Sequence, residues 1–169
     1  MKLLKNWGRR IRIIFKKMVR EKASPEFIAK GWALGMFIGC VIPFGLQLII
    51  SIPLSYKLKC STLGASVGTL ITNPISIIFL YPLQCMIGSY LCGGLLSREA
   101  INKGVEQLTQ ASFFSAEGIK IISGMGSDLL ISFFIGGFVY AAIFTPPTYI
   151  FVKKAVIAYR KKNENSKHK

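Results

Sequence analysis

The chain has 169 residues, of which 51% are hydrophobic and only 17% are charged. Lys and Arg number 22 against 7 Asp and Glu, which gives a formal net charge of +15. The mean hydropathy is +0.47. Since soluble domains carry about 25% charged residues, this composition predicts a small basic integral membrane protein. It argues against a soluble enzyme, a coiled coil, a disordered chain and a nucleic-acid-binding domain, in which the cations would cover a soluble fold.

The charges lie in blocks that are separated by uncharged apolar runs. Each run is long enough to cross a bilayer as a helix, which takes about 20 residues. The three runs are residues 31–56, 60–97 and 129–152. The net charge is +8 before the first run, −1 in residues 98–128 and +6 in residues 153–169. Because Lys- and Arg-rich flanks stay in the cytoplasm, both termini are expected inside and residues 98–128 outside.

Residues 1–23 are predicted to form a basic amphipathic helix in the membrane interface. At 100° per residue, the apolar side chains from Leu3 to Met18 fall mostly on one arc, and cations occupy the opposite face. Such a helix places its cations on anionic lipid headgroups. The expected lipid contacts are Lys5, Arg9, Arg12, Lys16 and Lys17. A solvated helix that docks on the rest of the protein is the alternative.

The first membrane helix is expected to begin at Ser24-Pro25-Glu26, which combines a cap, a first-turn proline and an acid at the positive end of the dipole. It must break or kink at Pro43-Phe44-Gly45. Only about half a membrane, roughly 18 Å at helical rise, separates Lys30 from this break. Residues 31–56 are therefore either one kinked span or a re-entrant hairpin. The hairpin is favoured because it keeps Lys57 and Lys59 in the cytoplasm.

A second broken segment follows, in which Asn73-Pro74 interrupts the apolar run. Glycines four residues apart precede both breaks and suit close helix packing. These packing glycines are Gly35 and Gly39 before the first break, and Gly64 and Gly68 before the second. The recurrence is weak evidence for an internal repeat. Paired Gly/Pro-interrupted segments also point to midplane binding sites in transporters.

The polar chemistry of the apolar runs is uncharged. No carboxylate lies inside them, the single histidine lies in the tail, and the four cysteines lack metal-binding spacing. We therefore expect no catalysis, metal or cofactor. The candidate residues of the helix breaks, or of a cavity beside them, are Pro43, Gly45, Gln47, Thr72, Asn73 and Pro74. Gln47 and Asn73 are expected to cap the broken helices or to line a polar cavity. In the hairpin arrangement, these two side chains would face one another.

The C-terminal half is predicted to hold a short amphipathic outer segment, one span and a tail. Residues 98–128 form the outer segment, with Ile101 on its apolar face. The last span, residues 129–152, is expected to end near Thr145-Pro146-Pro147. Residues 153–169 form a basic cytoplasmic tail that should be disordered after Tyr159. The fold class expected from the whole chain is an all-α integral membrane protein.

A family resemblance covers about residues 24–96. SPEFIAKGWALGMFIGCVIPFGLQ, then GTLITNPISIIFLY and GSYLCG, resemble the bacterial membrane family catalogued as domain of unknown function number twenty sixty-two. Relatives commonly have Thr where this chain has Ser76, and often Arg-x-Asn in the region of Lys57, Lys59 and Cys60. The resemblance implies a bacterial inner-membrane protein and assigns no biochemical activity. Some relatives look fused to glycosyltransferase domains, which hints at envelope glycan or lipid-linked substrates.

Two functions stay open from the sequence. The first is a small transporter, or a lipid or solute translocation unit, which acts as a homo-oligomer because three or four spans rarely enclose a pathway alone. The second is a non-catalytic membrane scaffold or accessory subunit for an envelope-synthesis enzyme. Membrane lipids are expected partners in both cases, and nucleic acid in neither.

Overall fold

A computed structural model describes residues 23–70, 72–94 and 126–165, together with residues 96, 97, 99, 101, 103 and 106. This part of the chain is all-helical and has no strands. Its five helices are α1 (Pro25–Val41), α2 (Gln47–Lys57), α3 (Thr62–Thr69), α4 (Pro74–Leu91) and α5 (Ser127–Asn165). The predicted N-terminal amphipathic helix and most of the predicted outer segment lie outside the described residues.

The first two helices form a hairpin, and both of its ends lie at the same end of the bundle. Ser24 caps α1, because its Oγ accepts from the Phe27 N–H at 3.1 Å. After the C-cap at Ile42, Gly45 has a φ of +98°, a left-handed conformation that glycine adopts without strain. Helix α2 then runs back, and the Ser61 N–H donates to the carbonyl of Phe27 at 3.1 Å. Residues 31–56 therefore fold back on themselves as a helical hairpin.

The third helix packs alongside α1 and runs in the same direction. Gly31 contacts Ser61, Gly35 contacts Ala65 and Gly39 contacts Thr69. Each pair is separated by 30 positions, so the two helices hold one register along their contact. After a second break, α4 continues away from the Ser24 end.

The last helix extends along the whole bundle, antiparallel to both α1 and α4. Near its start, Ser132 contacts Gly88 of α4. Farther along, Tyr140 packs in one cluster with Cys40, and Val156 packs in another with Ile28. The numbering therefore rises along α5 as it falls along α1.

The last helix is not interrupted at Pro146-Pro147 and continues to Asn165, so the prediction of disorder after Tyr159 is wrong for residues 160–165. The two prolines remove two backbone donors from the helix. Packing on α1 holds the segments on both sides of them. Beyond the prolines, Arg160 Nη2 donates to the carbonyl of Ala23 at 2.6 Å. Tertiary contact thus outweighs the local signals to end the helix.

Helix α2 has an inverted burial pattern. Its three buried side chains are Gln47, Ser51 and Ser55, spaced one turn apart. Four of its apolar side chains face outward with 38% to 57% of their surface exposed; these are Leu48, Ile49, Ile50 and Ile52. A helix on the surface of a soluble protein shows the opposite arrangement. An apolar outer surface over a small and polar contact is the pattern that membrane helices use.

One helix is long and apolar enough by itself to cross a membrane, among the residues that the structure describes. It is Ser127–Lys162, with a mean hydropathy of 1.9 over its most apolar window. A shorter apolar helix covers Ser76–Leu91. By length and composition, the first segment is a candidate span, and it gives the chain a basis for membrane association.

Candidate functional site

The first helix break is closed by the side chain of Gln47. Its Nε2 donates to the carbonyl of Gly39 at 3.1 Å and to that of Ile42 at 2.9 Å. The last carbonyls of a helix have no hydrogen-bond partner within that helix. The Gln47 amide, on the first residue of α2, therefore supplies hydrogen bonds to carbonyls at the end of α1. Only 3% of the Gln47 surface is exposed.

The same glutamine joins the first break to the second. The Thr72 hydroxyl lies 3.0 Å from Gln47 Oε1 and 2.9 Å from the carbonyl of Thr69, and it can donate its single proton to either. Thr72 thus makes the contact with Gln47 that the sequence predicts for Asn73. The two broken segments therefore meet at one buried point.

Asn73 instead caps the next helix. Its Oδ1 accepts from the Ser76 N–H at 3.0 Å, and its own N–H donates to Ser76 Oγ at 2.9 Å. This reciprocal pair has the geometry of a capping box. Helix α4 begins at Pro74, the first helical position, which proline tolerates well. Ser76 thus supplies a hydroxyl where relatives commonly have Thr.

The packing glycines lie in one interface between α1 and α3. A Cβ added at Gly35 would overlap the carbonyl oxygen of Ala65. A Cβ at Gly68 would lie 2.9 Å from Gly35 Cα and 2.6 Å from the carbonyl oxygen of Trp32. Gly39 and Gly64 border the same contact, beside Thr69 and Ile28. This close approach brings the two breaks together.

Gln84 is a buried polar residue that sequence reasoning did not single out. Its Nε2 donates to the carbonyl of Cys40 at 3.1 Å and to that of Phe133 at 2.8 Å, so one amide joins α4 to both α1 and α5. A Cβ at Gly88 or Gly136 would overlap a backbone oxygen of the facing helix. The sequence signal was a lone glutamine one turn before a glycine in an apolar helix.

A hydrogen bond from the turn between α1 and α2 to a side chain of α4 holds the turn in place. The Phe44 N–H donates to Tyr81 Oη at 2.7 Å, and Tyr81 is 1% exposed. Its ring meets that of Phe133 edge to face, with centroids 5.0 Å apart. Pro43 and Gly45 thus shape a turn whose position the tyrosine fixes.

The opposite end of the hairpin is basic. Lys153 Nζ donates to Glu26 Oε1 at 2.7 Å across an exposed contact between α5 and α1. This hydrogen bond and the charge of Lys153 lower the pKa of the Glu26 carboxyl, as does the charge of Lys30. The hydrogen bond to Glu26 raises the pKa of Lys153 in turn. The predicted lipid contacts Lys5, Arg9, Arg12, Lys16 and Lys17 lie outside the described residues.

The chemistry available at the two breaks is hydrogen bonding by amides and hydroxyls. Gln47 and Gln84 use both amide protons on backbone carbonyls. The Ser51 and Ser132 hydroxyls are buried without a partner in the part of the chain that the structure describes. Cys40, Cys60 and Cys85 are buried free thiols. These side chains can hydrogen-bond the backbone groups that the two helix breaks leave without partners. They can also hydrogen-bond a neutral polar group of a ligand.

Comparison with protein-family models identifies the family of the chain. A family model described as an uncharacterized protein conserved in bacteria (DUF2062, the domain of unknown function whose motifs the sequence resembles) matches residues 8–165. The match extends beyond the motif region of residues 24–96 on both sides, and the chain belongs to this family. A search of curated proteins and a search of solved structures return no match.

Proposed function

Starting from membership of the DUF2062 family, we propose that the chain is a multi-pass protein of the bacterial inner membrane with both termini in the cytoplasm. The inverted burial of α2 supports this placement, as does the apolar length of α5. Exposed apolar side chains occur on every helix, including Phe79 at 74% and Phe151 at 74%. A surface this apolar would be a liability in water and suits lipid.

In this proposal, α1 and α2 form a re-entrant hairpin, α3 and α4 together make one outward crossing, and α5 returns the chain. The hydrogen bond from Ser61 to Phe27 supports it, because it keeps the loop of Lys57 and Lys59 at the Ser24 end. Both lysines then lie in the cytoplasm, in accordance with the positive-inside bias. The turn at Pro43–Gly45 lies inside the bilayer, where helix α4 covers it through Tyr81.

The function that this geometry supports best is translocation of a lipid or small solute by an oligomer. The observation that carries it is the meeting of two broken segments at one buried contact, from Gln47 Oε1 to Thr72 Oγ1. Broken helices that meet at mid-depth are the arrangement by which transporters build binding sites. An oligomer is part of the proposal because one five-helix bundle is too small to enclose a pathway alone.

A second function, a non-catalytic scaffold for an envelope-synthesis enzyme, has an observation of its own. Both amide protons of Gln47 and both of Gln84 are already used on backbone carbonyls. Glycine contacts also close the α1–α3 and α4–α5 interfaces. An interior in which these amides are already hydrogen-bonded and the helices pack closely suits a rigid scaffold.

One reconstitution experiment separates the two functions. Purified protein is placed in vesicles, and the movement of a fluorescent phospholipid between leaflets is followed with a membrane-impermeant quencher. Translocation predicts movement above that of empty vesicles, with a loss of activity in Gln47→Met and none in the exposed neighbour Leu48→Met. No movement, together with stoichiometric co-purification of an envelope enzyme, would favour the scaffold. Absence of both results would contradict both proposals.

A further inference from the structure

A groove of about 400 Å³ lies beside α1 near the basic end of the bundle. Helix α1 forms one wall, the loop after α2 forms the second, and α5 forms the third. Its lining includes Lys30, Leu34, Phe37, Leu58, Thr145 and Tyr149. This volume is within the range of small-molecule sites, about 300–1,000 Å³.

The groove is polar at one end and apolar at the other. Lys30 and Phe37 are seven residues apart on α1, or roughly 10 Å at helical rise. Lys30 therefore lies at the Ser24 end of the groove, and Leu34 and Phe37 lie farther along α1. This gradient matches a ligand with an anionic head and an apolar chain.

No carboxylate in the described part of the chain forms a salt bridge with Lys30, although the charge of Lys30 does lower the pKa of Glu26. Glu26 lies one turn before Lys30, but it binds Lys153 at 2.7 Å. The loop that forms the second wall adds Lys57 and Lys59 on either side of Leu58. The Ser24 end of the groove thus carries an excess of positive charge among the residues that the structure describes.

A second observation lies partway along the groove. The hydroxyl of Thr145, which belongs to a lining residue, is buried without a hydrogen-bond partner in the described part of the chain. Buried polar atoms are usually paired. Because this hydroxyl is covered by protein, a ligand ester in the groove would accept from it after the Thr145 side chain rotates toward the groove.

We propose that this groove binds one anionic glycerophospholipid. The phosphate lies at Lys30 beside Tyr149, the ester region lies near Thr145, and one acyl chain follows Leu34 and Phe37. The inference rests on the membrane placement proposed above and not on translocation. It differs from the diffuse attraction of headgroups to a basic surface, because the binding is to one site.

The test is native mass spectrometry of the full chain in detergent, titrated with phosphatidylglycerol or with phosphatidylcholine of the same acyl composition. We expect one tightly bound phosphatidylglycerol per chain. Lys30→Gln should weaken it about fivefold, which is the effect of one surface cation. Lys154→Gln removes an equal charge from an exposed position of α5 that does not line the groove, and it should leave the tight binding unchanged. Ala33 also lines the groove, and Ala33→Phe should abolish binding by filling the groove without changing the charge.

Several results would overturn the proposal. Equal affinity for the two lipids would remove the anionic selectivity, and equal losses in Lys30→Gln and Lys154→Gln would reduce the site to diffuse charge. Lipid binding that appears only after deletion of residues 1–22 would identify that segment as the occupant. Lys30→Gln alters an exposed side chain and is expected to fold. It therefore tests the proposed lipid site even if Ala33→Phe does not fold. Flotation of the wild-type chain with vesicles tests the membrane placement separately.

Discussion

Gln47 at the start of α2 and Thr72 just before α4 lie 3.0 Å apart, from Oε1 to Oγ1, although 25 positions separate them in the chain. The turn of the hairpin and the break between α3 and α4 therefore share one buried contact. Movement of either segment would have to break this contact or carry the other segment with it. The pair is the most direct place to measure whether the two breaks act together.

The first prediction is an energetic coupling between these residues. Gln47→Leu should lower the free energy of unfolding by about 1–3 kcal/mol, because it leaves the carbonyls of Gly39 and Ile42 without their donor. Thr72→Val should have a smaller effect, because it removes one hydroxyl. A double-mutant cycle by chemical denaturation should give a coupling of about 0.5–1.5 kcal/mol. Additive effects of the two substitutions would mean that the 3.0 Å contact contributes nothing to the free energy of unfolding.

The second prediction concerns the glycine contacts. Gly35→Ala and Gly88→Ala should strongly destabilise the protein, because the new Cβ would overlap a backbone oxygen of the facing helix. Gly126→Ala is the matched control, since a Cβ there meets nothing within 4 Å. Its effect should stay within about 0.5 kcal/mol. Thermal unfolding of the three variants makes the comparison, and similar stability for all of them would exclude the close approach.

The third prediction separates capping from cavity lining at the second break. Asn73→Leu should cost about 1–2 kcal/mol through loss of the cap of α4. Ser76→Ala should cost less, because Asn73 Oδ1 still accepts the Ser76 N–H. Asn73→Asp should restore most of the stability, since it keeps the accepting oxygen. If Asn73→Asp is as damaging as Asn73→Leu, the residue does more than cap the helix.

The fourth prediction tests the proposed topology by cysteine labelling in a background with all four native cysteines replaced by alanine. Leu58→Cys should react with a membrane-impermeant reagent only after permeabilisation, because the proposed topology places the loop of Lys57 and Lys59 in the cytoplasm. Gln110→Cys, outside the described residues, should react from the outside. Labelling of position 58 from the outside would exclude the re-entrant hairpin.

The fifth prediction is a pH dependence from the exposed pair of Glu26 and Lys153. The folded state lowers the pKa of Glu26 below 4.5 and raises that of Lys153 above 10.5. The pair therefore stabilises the fold between these values. Its contribution is lost as the pH falls through the lowered pKa of Glu26 or rises through the raised pKa of Lys153. Wild type should melt slightly above Glu26→Gln near neutral pH, and the two melting curves should converge in acid. Glu99→Gln, which removes no salt bridge to a described residue, is the control.

Much of the local structure was predictable because it depends on neighbouring residues. Ser24-Pro25 starts a helix, Pro43 and Gly45 end it, and Asn73-Pro74 starts another, since capping, ring geometry and backbone freedom act within one turn. The spacing of Gly35 and Gly39 likewise identified the face that packs. The distribution of charged residues predicts a membrane topology, and this topology stays a prediction.

Only the tertiary structure decided which of these features meet. Thr72 rather than Asn73 contacts Gln47, because the cap of α4 engages Asn73 and the packing of α3 on α1 turns Thr72 inward. Gln84 joins three helices through carbonyls that lie far from it in the chain. Helix α5 continues past Pro146 and Pro147 because contacts with α1 on both sides hold it in place. These outcomes depend on partners that the chain brings together only when it folds, and no pattern within one segment contains them.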